Sequence, residues 1–230
     1  MHSLTLALPT SALLLTVALS GCAAATPASA PISSVVTASP AALSDSAQAA
    51  LIRDLFRGIS ADYIARTSPA ELADDSVLVV SGSILRVQEG RVEGDPNDDI
   101  VDSHSIVVVV RADKPVKGAL AQDSAGLVYV ELPSSGNRPA RDFADALPKG
   151  TRVLLYLIAA PDGAELVWGY QDPAAGRPAR QPLYMPSNPQ SFAIELTDGT
   201  GVVWIGESHY APGAKLADAF PGGKLVPLPD

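Results

Sequence analysis

From Ser76 onward the chain repeats one pattern: a short run of Val, Ile, Leu or aromatic residues, then a break of Gly, Pro, Asp or Asn. The runs are Val77 to Gln88, His104 to Ala112, Leu127 to Leu132, Thr151 to Ala159, Glu165 to Tyr170, Ser191 to Leu196 and Val202 to Ile205. Each has strand length, and no helical spacing of apolar residues separates them. The pattern therefore predicts a mainly β domain, a small antiparallel barrel or sandwich. Asp198-Gly199, between the last two runs, suits a tight hairpin turn. Glu89 to Asp102 reads as an acidic loop between the two longest strands. Gln171 to Gln190, punctuated by Pro173, Pro178, Pro182, Pro186 and Pro189, reads as a long irregular loop. Such loops are often functional, so a ligand site is expected there and beside Trp168.

An amphipathic helix precedes the strands. Leu51, Ile52, Leu55, Phe56 and Ile59 recur at three- and four-residue spacing, with Asp45 and Gln48 placed for a capping box and Gly58 near the end. The stripe is expected to pack on the core. Asp62 to Arg66 reads as extended. Ser68-Pro69-Ala70-Glu71 then supplies an N-cap, an N1 proline and an N3 glutamate for a short helix through Asp74.

Cys22 is the only cysteine, so no intramolecular disulfide can staple the fold, and apolar burial must hold it. Before it, Leu4 to Leu19 is almost wholly apolar or small, densest from Ala12 to Leu19 and interrupted by Pro9. That is short of the roughly 20 residues needed to span a bilayer and has the proportions of a secretory h-region. Leu19-Ser20-Gly21-Cys22 resembles the lipobox of bacterial lipoprotein precursors: a large aliphatic, two small residues, then cysteine. The resemblance implies cleavage between Gly21 and Cys22 and thioether attachment of a diacylglyceryl group to Cys22. The partner it implies is the membrane, engaged from the extracytoplasmic face of the cell envelope. One departure is the lack of Lys or Arg in residues 1–22, which leaves only the amino terminus and His2 as a positive n-region.

Residues 1–21 are thus expected to be a lipoprotein signal peptide, and 22–43 a tether. The tether is mostly Ala, Thr, Pro and Ser without charge, too poor in large apolar groups to form a core. About 20 such residues reach roughly 25 Å, enough to lift a domain off the headgroups. Residues 44–230 form the expected single domain. Within it, the strand Val77 to Ile84 with Gly82 at a bend, the Lys114-Pro115-Val116-Lys117-Gly118 segment, and the Leu147 to Val153 turn into an apolar strand are similar to the OB-like barrel of netrin-module relatives and small bacterial lipoproteins. This resemblance covers about residues 76–205 and implies architecture only.

A formal net charge of −9 argues against nucleic acid as a partner, although OB-like folds often bind it. No cofactor fingerprint or phosphate-cradling loop occurs. His104 and His209 are the only histidines after residue 2, too few for a zinc site with Cys22 consumed. Asp95-Pro96-Asn97-Asp98-Asp99-Ile100 opens like a calcium loop but has Ile100 at the glycine position and Ile106 at the glutamate position. Ser208-His209 near Glu207, and Ser103-His104 near Asp102, offer hydrolase residue types without a nucleophile elbow. Trp168, Tyr170, Tyr184, Trp204 and Tyr210 gather in the last third. Trp168, Tyr170, Trp204 and Tyr210 are candidates for a ligand surface, because flat apolar rings gain contact area at small entropic cost. Tyr129 and Tyr156 are expected in the core. Together these features favour a non-enzymatic, lipid-anchored binding module for a protein, peptide or envelope glycan. The alternatives are an envelope hydrolase using His209 or His104, and an OB-type nucleic-acid binder.

Overall fold

The structure, a computed structural model, describes residues 46–58, 62–94, 103–163, 169–207 and 209–227, all within the compact unit Ala42–Asp230. The domain is mainly β. Its strands are β1 (Leu78–Glu93), β2 (Ser103–Ala112), β3 (Leu127–Pro133), β4 (Arg152–Ala159), β5 (Leu183–Pro186), β6 (Phe192–Glu195), β7 (Gly201–Trp204) and β8 (His209–Pro212). They hydrogen-bond in the order β1-β2-β3-β5-β4-β6-β7-β8, and β1 also pairs with β4. The pairings β1-β2-β3-β5-β4 therefore return to β1. All are antiparallel except β3–β5, a parallel contact that corrects the wholly antiparallel expectation.

β1 serves two neighbours. Leu78 to Ser83 pair with β4, and Gly82 to Glu93 pair with β2. Gly82 stands where the two ladders overlap, and a Cβ there would collide with the Arg111 carbonyl oxygen and the Val110 side chain. Only glycine lets the strands approach this closely. Register shifts between Ile84 and Arg86, and between Glu89 and Val92, add the bends of β-bulges. The strand continues to Glu93, so the acidic loop is shorter than expected. Residues 95–102, including the calcium-like stretch, lie outside the described residues.

The side chains of each central strand divide between two apolar layers. Val80, Ile84, Val108, Val130 and Leu155 point into the main core, together with residues of the flanking helices. The alternate positions are buried too. Val79, Leu154 and Tyr156 pack with Trp204 and the C-terminal segment around Leu216 and Ala219, while Val107, Val109 and Tyr129 pack with Leu183. This is why Val107 to Val110 show no polar alternation: both faces of the strand are covered.

Helix α1 (Ala47–Leu55) buries Ala49, Ile52 and Leu55 in the main core, at about 1.5–3 kcal/mol for each large aliphatic. Its cap is Ser46, whose Oγ accepts from Ala49 N at 3.1 Å; Asp45, placed by sequence for a capping box, lies outside the described residues. Gln48 instead ties two loops together, donating to Ala146 O just after Ala140–Ala144 and accepting from Thr197 N in the β6–β7 turn. Helix α2 (Pro69–Asp74) has the bounds and the Ser68 cap the sequence predicts, but Glu71 reaches back to Thr67 N. Asp62 to Arg66 forms no strand.

Helix α3 (Ala140–Ala144), β5 and β8 were not expected. The first-turn N–H of α3, at Ala140, donates to Glu89 on β1 at 2.8 Å, so its cap is 51 positions away in sequence. The β6–β7 turn matches expectation: Gly199 N donates to Leu196 O at 2.9 Å, and Asp198 Oδ1 accepts from Thr200 N at 2.9 Å. Of the Glu165 to Tyr170 strand, residues 165–168 lie outside the described residues, and Tyr170 makes an isolated bridge to Glu93.

Tyr156 is 1% exposed and its hydroxyl donates to Ala219 O at 2.6 Å, tying the C-terminal segment to β4. Burial pushes this phenol far above its ordinary value. The stability it contributes is therefore complete below about pH 10, the unfolded value, and declines as pH rises beyond that. Tyr156→Phe should lose about 1–3 kcal/mol at neutral pH through the unpaired carbonyl. It should also flatten the alkaline decline, as read by tyrosinate absorbance alongside circular dichroism. Ionisation of all tyrosines before loss of structure would contradict this.

Candidate functional site

A cleft of about 300 Å³ opens where several strand ends meet. Leu132 and Pro133 contribute from the end of β3, Met185 and Pro186 from β5, and Ile205 and Gly206 from just beyond β7. Asp62 and Tyr63, between the two N-terminal helices, form another wall, with Phe56 and Phe192 as apolar floor residues. Ser187, Asn188 and Pro189 complete it. A Cβ on Gly206 would lie 2.5 Å from Pro189 Cα, so glycine is what allows the chain after β7 to press against this turn.

Gln190 fixes the geometry. It is 0% exposed, its Oε1 accepts from Arg66 N at 2.7 Å, and its Nε2 donates to Arg66 O at 3.0 Å and to Pro227 O. One buried amide thus holds the Asp62–Arg66 segment and the C-terminal segment against the cleft wall. The short 3₁₀ turn that carries it, Pro189–Ser191, is capped by Asn188 Oδ1, which accepts from Gln190 N at 2.8 Å. Ser187 and Ser191 share a hydroxyl contact at 2.7 Å.

The electrostatics of the cleft are one-signed. Asp62 is the only charged lining residue among the described residues. The Tyr63 hydroxyl is shielded from solvent and has no aligned hydrogen-bond partner among the described residues. Glu207, next to Gly206, acts on it at close range; burial first and then this carboxylate push the Tyr63 phenol well above its usual range.

The residues singled out from sequence fall differently. Met185 to Pro189 belong to the Gln171 to Gln190 segment, so the cleft lies at the C-terminal end of the loop where a site was expected. Part of that loop is the strand β5, not irregular chain. Trp168 lies outside the described residues. Trp204 is 1% exposed and belongs to the core, which removes it from any ligand surface. Tyr210 is half-buried, packs against the main core and donates to Thr200 O at 3.2 Å. Tyr170 lies under the Arg91 guanidinium, 3.7 Å from ring centroid to Cζ. Tyr129 and Tyr156 are buried as expected, and Tyr184 is half-buried against the main core. None of the described ones among these aromatics lines the cleft.

The two histidines are not brought together. His104 is the second residue of β2 and His209 starts β8, strands that do not pair. The His209 ring packs on Trp204 at 5.9 Å, and the His104 backbone N donates to Asn137 Oδ1 at 3.1 Å. Among the described residues neither imidazole is held by a carboxylate, and no group of three or more metal-ligating side chains occurs. No described helix is long and apolar enough to cross a membrane.

The cleft was not legible from Asp62, Tyr63 or Gln190 individually. Gln190 sits in a proline-rich stretch that reads as solvent-exposed, and only its buried, fully bonded amide marks it as a positioning residue. No family model, curated protein or solved structure matches this chain.

Proposed function

We propose that this chain is a lipid-anchored, extracytoplasmic binding module whose body is an OB-like barrel and whose ligand site is the cleft beside Tyr63. The observation that carries the binding reading is the cleft itself: a preformed, largely apolar recess with a few polar groups at its edge, the usual character of a small-ligand site. Three features support the OB-like assignment. The pairings β1-β2-β3-β5-β4 return to β1, β3 and β5 run parallel, and α3 lies between β3 and β4. The face on which OB folds take nucleic acid, on strands β2 and β3, is here covered by the chain's own β4–β5 connection. Gly176 lies against Val107 of β2, Ala160 packs with Val107, Val109 and Tyr129, and Gln88 and Arg91 of the adjoining β1 donate to Gly176 O and Pro161 O at 2.5 and 2.6 Å. That cover and the acidic net charge favour the cleft over the sheet face as the place of binding.

The anchoring half of the proposal rests on Leu19-Ser20-Gly21-Cys22 and the uncharged tether after it. Stable attachment requires more than one acyl chain, since each buried methylene contributes only about 0.8 kcal/mol. Cys22→Ser should abolish metabolic labelling by fatty acid and leave the precursor uncleaved before residue 22. Undiminished labelling of that variant, or an unmodified residue 22 in mass analysis of native material, would remove the anchor from the proposal.

A further inference from the structure

The chemistry of the cleft narrows its ligand. We propose that it binds an apolar organic cation, an ammonium group carrying an alkyl or aryl body, with the charged head at the Asp62 and Tyr63 edge and the body among Leu132, Met185, Phe192 and Ile205. The inference rests on the binding reading above and specifies its ligand class.

Volume sets the size. About 300 Å³ is at the lower end of small-ligand sites, which suits a short-chain body and not a polymer. The apolar lining selects a carbon body over a sugar or a peptide backbone, whose polar groups would go unpaired against Leu132, Ile205 and the proline rings. Charge selects the head. Asp62 lines the cleft, Glu207 stands beside the Tyr63 hydroxyl, and no Lys, Arg or His is among the lining residues. A carboxylate or phosphate head would meet Asp62, with Glu207 close by, and no opposite charge among the described lining residues. An ammonium at that edge meets the Asp62 carboxylate beside the Tyr63 ring, and aromatic rings attract cations. Quaternary and alkylated ammonium groups suit such a site best, because their charge is carried on a surface of carbon.

The test uses the whole purified chain and three probes that share one body: octyltrimethylammonium, octanol and octanoate, each titrated by calorimetry below its aggregation concentration. The expected order is ammonium, then alcohol, then carboxylate, with at least tenfold between the first two. Asp62→Asn, an exposed position that folding does not depend on, should erase most of that tenfold preference and leave octanol unchanged. Met185→Trp, which fills the recess from a half-buried position, should weaken all three. Equal or tighter binding of octanol or octanoate would overturn the cation assignment and leave the cleft as a binding site. Failure of all three probes, with Met185→Trp without effect, would overturn both.

Discussion

Arg91→Met should destabilise the domain by about 3–5 kcal/mol. The Arg91 side chain is 2% exposed and that of Glu131 11%. The guanidinium grips the carboxylate with two nitrogens, Nε to Oε1 at 2.7 Å and Nη2 to Oε2, while Nη1 donates to Pro161 O. Ser105 Oγ adds a further donor to Glu131 Oε1 at 2.7 Å, and the Tyr170 ring covers the guanidinium. Methionine would fill much of the same space but leave Glu131 with a buried charge and one hydroxyl. The loss comes mainly from that orphaned carboxylate. The double variant Arg91→Met/Glu131→Leu should therefore recover most of it, because a buried ion pair replaced as a unit by apolar groups is often neutral or better. Denaturant unfolding of both variants measures this as a midpoint shift at constant slope. A single variant within 1 kcal/mol of the parent, or a double variant worse than the single, would show that the pair is solvated in solution.

Trp204→Ala should lose a similar amount, about 3–5 kcal/mol, by a different route. The indole is 1% exposed and packs with Ala193, Val202 and Leu216 in the layer between the sheet and the C-terminal segment. Truncation leaves a cavity that the β6–β7 hairpin and the Leu216–Ala219 turn cannot both collapse into, since each is held by its own backbone bonds. Ligand affinity at the cleft should not change in the fraction that remains folded, because Trp204 does not line it. A ligand-surface tryptophan would give the opposite result: stability within about 0.5 kcal/mol of the parent and a loss of binding.

How much of this was readable in advance depends on where each signal sits. Helix α2 was readable to the residue because Ser68 and Pro69, the groups that start it, adjoin it in sequence. Strands β2, β3 and β4 were readable because runs such as Val107 to Val110 have no other stable use in a chain of this kind. Helix α3 was not, because Glu89 supplies its cap from another strand. The strand β5 was hidden by Pro182 and Pro186. Four residues bounded by proline have little strand preference of their own, and they become a strand because β3 and β4 each offer an open edge. Arg91 looked like a loop charge. A bulge between Glu89 and Val92 turns it inward against Glu131.

The amino-acid sequence alone determined the β character, the two N-terminal helices, the single unpaired cysteine and the acidic balance. All of these follow from local propensity, composition or the short-range geometry of caps and turns. Tertiary structure decided which faces of the strands are covered, that Trp204 is core, that Arg91 is buried, and that Asp62, Tyr63, Met185 and Ile205 border one cleft. Those residues are far apart in the chain, and only the closing of long-range pairings, held in part by a buried Gln190 amide, brings them within reach of one ligand.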